Sequence, residues 1–147
     1  MLIITTGIPG SGKTIWAKQF CLDTKFFRVS SDDIRHMLYD VYNIISPVEF
    51  ALCEACAIAL LRQRKNVVVD ATNLKAKHRA AWASIARMEE HEFEVKFFDT
   101  NIATCLERNA TRIDEPNYVL PDIIVRMSEN MEAPHSNEGN LITTNDN

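Results

Sequence analysis

Residues 7–14 read GIPGSGKT, and each residue type in this run has a use beside a phosphate group. Gly7, Gly10 and Gly12 allow backbone angles and close approaches that a side chain would forbid, so the amides around Ile8, Pro9 and Ser11 can turn inward on phosphate oxygens. Lys13 reaches toward β- and γ-phosphates, Thr14 offers a hydroxyl to Mg²⁺, and the amino end of a following helix adds partial positive charge. The chemistry implied is capture of a nucleoside triphosphate, by preference ATP, with its metal ion. A plain Gly/Ser turn would not need five fixed positions between an apolar strand and a helix.

Three further clusters carry residues able to act on such a ligand. In VSSDDIR, residues 29–35, Asp32 could accept the proton of an attacking hydroxyl, and Arg35 could hold a phosphate beside it. Equally, Ser30 to Asp33 could do no more than cap a helix, with Arg35 a solvated charge. In VVVDATN, residues 67–73, Asp70 closes an apolar run in the manner of the carboxylate that holds the Mg²⁺ shell in phosphate-loop enzymes; the alternative is a strand-end cap. In CLERNATR, residues 105–112, Arg108 and Arg112 share a face if the helix persists. There an arginine on a mobile segment could neutralise a transferring phosphoryl group, and the alternative is a pair of surface ion pairs.

The elements that must position these groups follow from periodicity. Leu2-Ile3-Ile4 forms a strand that leads into the glycine run. A helix ends near Asp23, and Phe26, Phe27 and Val29 make a short second strand. A second helix is predicted to run to about Tyr42, and Ser46-Pro47-Val48-Glu49 reads as a capping box opening a third helix to about Arg64. The run NVVVD at 66–70 has no polar alternation, which predicts a central strand beside the first one. A helix over 75–89 precedes a period-two strand over 92–98, expected to be half exposed near an edge. A helix over 102–109, an irregular stretch over 110–118 and a helix from Val119 to about Met131 follow. Strands alternating with helices predict a three-layer α/β domain with a mainly parallel central sheet, binding ligands at the carboxyl ends of its strands. The domain is expected to span 1–132, and 133–147, polar and without periodicity, is expected to be a flexible tail.

Composition limits the partners. A chain of 147 residues accommodates one domain, and its net charge of −4 excludes a general basic field for nucleic acid. Any grip on a polynucleotide must be local; the run Lys75, Lys77, His78, Arg79 is a candidate, the alternative being a solvated helix start. No stretch suits a membrane span, and the first residues lack the basic segment of a signal peptide, so a cytoplasmic location is expected, the host cytoplasm for a phage-encoded protein. Cys21, Cys53, Cys56 and Cys105 read as small buried hydrophobes in helices, and the pair at 53 and 56 lacks partners for zinc.

Taken together, GIPGSGKT with Trp16 and Ala17, the DDIR segment, Thr72-Asn73-Leu74, Arg79 with Trp82, Arg108-Asn109, Arg112, and Val119, Ile123, Ile124 and Met127 resemble, in the same order, the phosphate-loop kinase domain of bacteriophage polynucleotide 5′-hydroxyl kinase and its relatives. The resemblance covers Met1 to about Met131. It implies a P-loop kinase fold, Asp32 as general base, Arg35 as clamp on the acceptor's adjoining phosphate, and Lys13 and Arg112 as stabilisers of the γ-phosphoryl transition state. It also implies Arg108 at the nucleotide and Thr72 and Asn73 at the acceptor. One position departs: the phage enzyme has an aspartate directly before its Thr-Asn pair, where this chain has Ala71 and carries the carboxylate at Asp70. The expected activity is ATP- and Mg²⁺-dependent phosphorylation of the 5′-hydroxyl of a DNA or RNA end. A nucleoside, a small metabolite or a hydroxymethylated base is the alternative acceptor, a non-catalytic nucleotide-binding module is the alternative role, and a homo-oligomer is open.

Overall fold

The computed structural model describes residues 1–39 and 47–145. Leu2, Ile3 and Ile4 are all buried, a strand with no wet side, and such a strand needs helices on both of its faces. The chain supplies them in the order β1 (Leu2–Thr6), α1 (Lys13–Thr24), β2 (Phe27–Ser30), α2 (Ser31–Tyr39), α3 (Pro47–Arg62), β3 (Val67–Asp70), α4 (Ala76–Met88), β4 (Phe93–Phe98), α5 (Ile102–Ala110), α6 (Pro121–Glu129) and β5 (Asn140–Thr144). The sheet order is β2-β3-β1-β4-β5, and every pairing is parallel. β1 is central and β3 lies directly beside it, as the apolar run at 66–70 implies.

Register divides the core. Leu2, Ile4, Val29, Val67, Val69 and Val95 point to one face, where they pack on Cys53, Ala57 and Leu61 of α3 and on Trp82, Ile85 and Ala86 of α4. Ile3 and Val68 point to the other face, against Ala17, Trp16 and Phe20 of α1. A third cluster joins Ile8 of the glycine-rich loop to Cys105 of α5 and Ile124 of α6, so the loop rests on an apolar floor of its own. Burying one such aliphatic side chain stabilises the fold by about 1.5–3 kcal/mol.

Two expectations are corrected. The segment expected to be a flexible tail supplies β5, which pairs along β4 from Glu94↔Asn140 to Phe98↔Thr144. Glu138, just before that strand, closes a two-bond ion pair on the fully buried Arg79 guanidinium, at 2.5 Å and 3.0 Å. Glu132 accepts from the amide of Ala76 at the start of α4. The anchor joins residues 59 positions apart, so local periodicity carries no trace of it. For the same reason β4 is not at the edge: Glu94 is buried and accepts from the Asn140 amide, and Lys96 lies over the Trp16 ring at 5.5 Å.

Smaller differences have local causes. Pro47 does open α3, but Ser46, the proposed cap, and the end of the second helix beyond Tyr39 lie outside the described residues. Of the four cysteines, Cys53 and Cys105 are buried, Cys21 is half-buried and Cys56 is exposed.

Candidate active site

The loop between β1 and α1 has the shape its glycines require. Gly10 sits at φ 85°, and a Cβ there would fall 2.5 Å from the carbonyl oxygen of Cys105, so the loop is pressed directly on the α5 backbone. Gly12 takes φ 96° immediately before α1 begins, which leaves the first amides of that helix pointing into the loop. Lys13 is buried, and its ammonium donates to the Ile8 carbonyl at 2.7 Å and to Ser11 Oγ at 3.2 Å. Burial lowers its pKa to about 8, against the opposing pull of Asp70 and Asp32. The loop therefore encloses a cation whose direct hydrogen-bond partners are neutral oxygens.

Asp70 ends β3 on the α1 face of the sheet, in register with Ser30 of β2. Its Oδ1 accepts from Thr14 Oγ1 at 3.3 Å, which brings together the two residues expected to hold the metal ion. Its Oδ2 accepts from Arg28 Nε at 2.9 Å and lies 2.8 Å from Arg28 Nη2. Among the described residues no cluster of three or more His, Cys, Asp or Glu side chains could cage a metal. One hydroxyl and one carboxylate are hard oxygen donors of the number that Mg²⁺ takes from protein when phosphates and water complete its shell, so the donor set fits the ion.

At the start of α2 the two readings of the SSDD run divide between residues. Ser30 is the cap, its Oγ accepting from the Asp33 amide at 3.2 Å. Asp33 pairs with Arg28 at 2.6 Å. Asp32 faces the site: Arg35 donates to it at 2.8 Å, and it lies near enough to Lys13 that each alters the other's protonation. Desolvation by the surrounding cleft raises the Asp32 pKa despite the pull of Arg35, although over half of the side chain still meets solvent. Such a carboxyl is a better proton acceptor than an ordinary surface aspartate.

Arg35 is not a solvated charge. Its Nε donates to Glu49 Oε2 at 2.8 Å and its Nη2 donates to Glu49 Oε1, and the Glu49 side chain is fully buried. Glu49, which the sequence suggests as part of a capping box, serves instead as the anchor of Arg35. Arg28 was likewise missed. The available signal was its position two residues before Ser30, which puts both side chains on the face of β2 that Asp70 shares.

On the other side of the loop, Arg108 of α5 donates to the Gly10 carbonyl at 3.4 Å. α5 stops at Ala110, so Arg112 lies in the turn beyond it and does not continue the helix face. Its charge still lowers the Lys13 pKa, which puts it within electrostatic reach of the loop. Buried Asn109 donates to the Val119 carbonyl at 2.6 Å and accepts from the Val119 amide at 3.0 Å, pinning the ends of the stretch that carries Arg112. Asn73 lines the same groove as Thr72 and also braces the backbone. It is buried at φ 42°, its amide donates to the Thr5 carbonyl, and its oxygen accepts from the Trp82 indole. Thr72 accepts the Gly7 amide on its carbonyl at 3.1 Å and borders a groove of about 310 Å³.

Residues 2–134 match the sequence profile of a family described as AAA domain. The chain belongs to that family. It is a phosphate-loop kinase domain similar to those of polynucleotide kinases, and the parallel five-stranded sheet with flanking helices is the architecture of its solved neighbours. One relative, named a bifunctional polynucleotide kinase/RNA ligase, comes from Autographa californica nuclear polyhedrosis virus; it is 28% identical over 130 residues, covering 78% of this chain and 18% of the relative. In the solved Pnkp1/Rnl/Hen1 complex one chain is 32% identical, with TM-score 0.65, over 73% of this chain and 38% of that one. A kinase structure from Chloroflexus aurantiacus J-10-fl superposes over 98% of this chain and 86% of its own with TM-score 0.77 at 15% identity, a likeness of fold. The domain thus spans less than a fifth of the viral relative and well under half of the Pnkp1-complex chain. Among the described residues no helix is long and apolar enough to cross a membrane.

Proposed function

We propose that this kinase domain transfers the γ-phosphoryl group of ATP to the 5′-hydroxyl at the end of a DNA or RNA strand. The observation that carries the reading is the linked set Asp32, Arg35 and Glu49: a carboxylate with a raised pKa beside a guanidinium locked in place by a buried carboxylate. An acceptor whose hydroxyl lies next to a phosphodiester needs this combination, a base for the one and a fixed cation for the other.

In this reading Lys13, the loop amides and Arg108 hold the triphosphate, and Thr14 and Asp70 hold Mg²⁺. Mg²⁺ held there would offset the negative charge of the triphosphate. The acceptor oxygen attacks the γ-phosphorus while its proton passes to an oxygen of Asp32. The bond from the γ-phosphorus to the bridging oxygen breaks, and ADP leaves with that electron pair. Lys13 and Arg112 offset the negative charge on the phosphoryl oxygens during transfer.

The groove beside Thr72 supports a polynucleotide acceptor. Phe50, Leu74, Ile123 and Met127 form apolar walls, while Lys75, His78 and Arg126 stand at its rim. Burial, followed by the charge of Lys77, lowers the His78 pKa, and Lys75 is paired with Glu132 at 3.1 Å, so the positive charge at the groove comes chiefly from Arg126. Flat apolar walls with local cations suit a base and its phosphate in a protein of net negative charge.

The test offers γ-labelled ATP with a panel of 5′-hydroxyl oligonucleotides, base-modified duplexes and free nucleosides. Label is expected on oligonucleotide 5′ ends, with a rate that falls as ionic strength rises. Label on nucleosides alone would move the acceptor to a small molecule, and nucleotide binding with no transfer to any acceptor would leave a non-catalytic module.

A further inference from the structure

Arg28 has no part in the chemistry described above, yet it makes the closest ionic contact to the carboxylate expected to serve the metal. It lies on β2, one alternation before Ser30, and so shares the sheet face of Asp70 on β3. Two of its nitrogens converge on Asp70 Oδ2, at 2.9 Å and 2.8 Å, and the third reaches Asp33 Oδ2 at 2.6 Å. Asp70 is almost wholly enclosed, with 3% of its side chain exposed, whereas Asp33 is 56% exposed.

We propose that Arg28 is a positioning residue for the metal carboxylate and makes divalent-cation binding depend on the nucleotide. This role rests on the reading that Thr14 and Asp70 hold the ion. With Oδ2 pinned by the guanidinium, Asp70 keeps Oδ1 turned to Thr14, the one orientation in which hydroxyl and carboxylate face the same point. A guanidinium stays charged at any ordinary pH, so the charge of Asp70 is balanced before any metal arrives. Without nucleotide a divalent cation meets a carboxylate already paired with a guanidinium. With ATP the phosphates bring the negative charge that this pair lacks, and the ion enters as part of the nucleotide complex. Asp33 gives Arg28 a second anchor, which holds the guanidinium at the site when the electron density of Asp70 is shared with the metal.

The experiment measures Mn²⁺ binding to the nucleotide-free protein from the electron paramagnetic resonance signal of free Mn²⁺, for wild type, Arg28→Met, Arg28→Lys and Arg28→Met/Asp70→Asn. Removing one unit charge within a few ångströms of a divalent ion at the rim of a solvated cleft is expected to tighten nucleotide-free Mn²⁺ binding by about tenfold in Arg28→Met. Arg28→Lys, which keeps the charge, is expected to stay within about twofold of wild type. The double variant should lose the gain. An Arg28→Met affinity equal to that of wild type would overturn the proposal, as would a gain that survives Asp70→Asn. Arg28→Gln, which retains a donor for Asp70 without the charge, gives the same comparison if the methionine variant does not fold. Because the readout is metal binding without ATP or acceptor, its failure is distinct from failure of the kinase assay above: transfer to oligonucleotides with no change in Mn²⁺ affinity would reject only the role of Arg28.

Discussion

Nucleotide affinity should weaken sharply above neutral pH, and the midpoint should belong to Lys13. In the nucleotide-free protein burial brings this lysine to a pKa of about 8, from an ordinary 10.5. A triphosphate seated in the loop would place several negative charges against the ammonium and restore its preference for the charged form. If only the protonated lysine binds well, the apparent dissociation constant scales with the inverse of the protonated fraction, which is about 0.9 at pH 7 and about 0.1 at pH 9. Affinity for a non-hydrolysable ATP analogue should therefore fall about tenfold between those values, or about 1.4 kcal/mol.

Calorimetry in buffers of different ionisation enthalpy should register uptake of about half a proton per nucleotide at about pH 8. Arg112→Ala removes a positive charge that depresses the lysine, so it should move the midpoint upward. Lys13→Met should bind weakly at every pH and show no midpoint. The sign for stability is opposite to that of a salt-bridged lysine. The folded pKa lies below the unfolded one, so a penalty of about 3 kcal/mol weighs on the nucleotide-free protein below about pH 8 and fades as pH rises toward 10.5. A flat affinity profile from pH 7 to pH 9, or a profile that persists in Lys13→Met, would refute the assignment of the buried ammonium to phosphate binding.

Other perturbations separate chemistry from architecture. Asp32→Asn should slow phosphoryl transfer by roughly 10²- to 10⁴-fold in a single-turnover assay while leaving ATP affinity within about twofold, and the wild-type rate should begin to fall on acidification at a higher pH than an ordinary aspartate would set. Arg112→Ala should reduce kcat by about 10³-fold with no loss of melting temperature, because Arg112 enters no ion pair among the described residues. Glu138→Ala should destabilise the fold by about 3–5 kcal/mol, since it strands the fully buried Arg79 guanidinium, and thermal unfolding should register the loss even though the residue lies far from the phosphate loop in sequence.

The parts of this molecule that were legible in the sequence are those whose cause is local. The run 66–70 has no polar alternation because β3 is buried on both faces, and GIPGSGKT bends as it does because Gly10 and Gly12 take positive φ. What stayed hidden depends on pairs distant in the chain. Glu49 looked like the fourth residue of a capping box, and only the packing of α3 on α2 turns it toward Arg35. The polar composition of 133–147 concealed β5 because an edge strand needs few apolar side chains, and its anchor is a charge pair to α4. The bracing part of Asn73 was also hidden, since its amide holds the backbone of Thr5 and the indole of Trp82.

The buried charges themselves argue for where the ligand goes. Burying an ionised group without a counter-charge costs several kcal/mol, so folded chains pair such groups. Arg79 is matched by Glu138, Glu49 by Arg35, and Asp70 by Arg28, each through at least two contacts. Lys13 differs from these three: it too is buried, but its hydrogen bonds go to a carbonyl and a hydroxyl, and Asp70 and Asp32 act on it only across space. The glycines that shape its loop allow amide donors to converge on the same volume, which deepens the positive potential. A fold that pairs Arg79, Glu49 and Asp70 with counter-charges and leaves this ammonium facing a cradle of N–H groups is stabilised when an anion enters. The depressed pKa of Lys13 and the phosphate-binding role of the loop are two consequences of that arrangement, so a variant that restores an ordinary pKa at this lysine without nucleotide should also weaken the preference for a triphosphate.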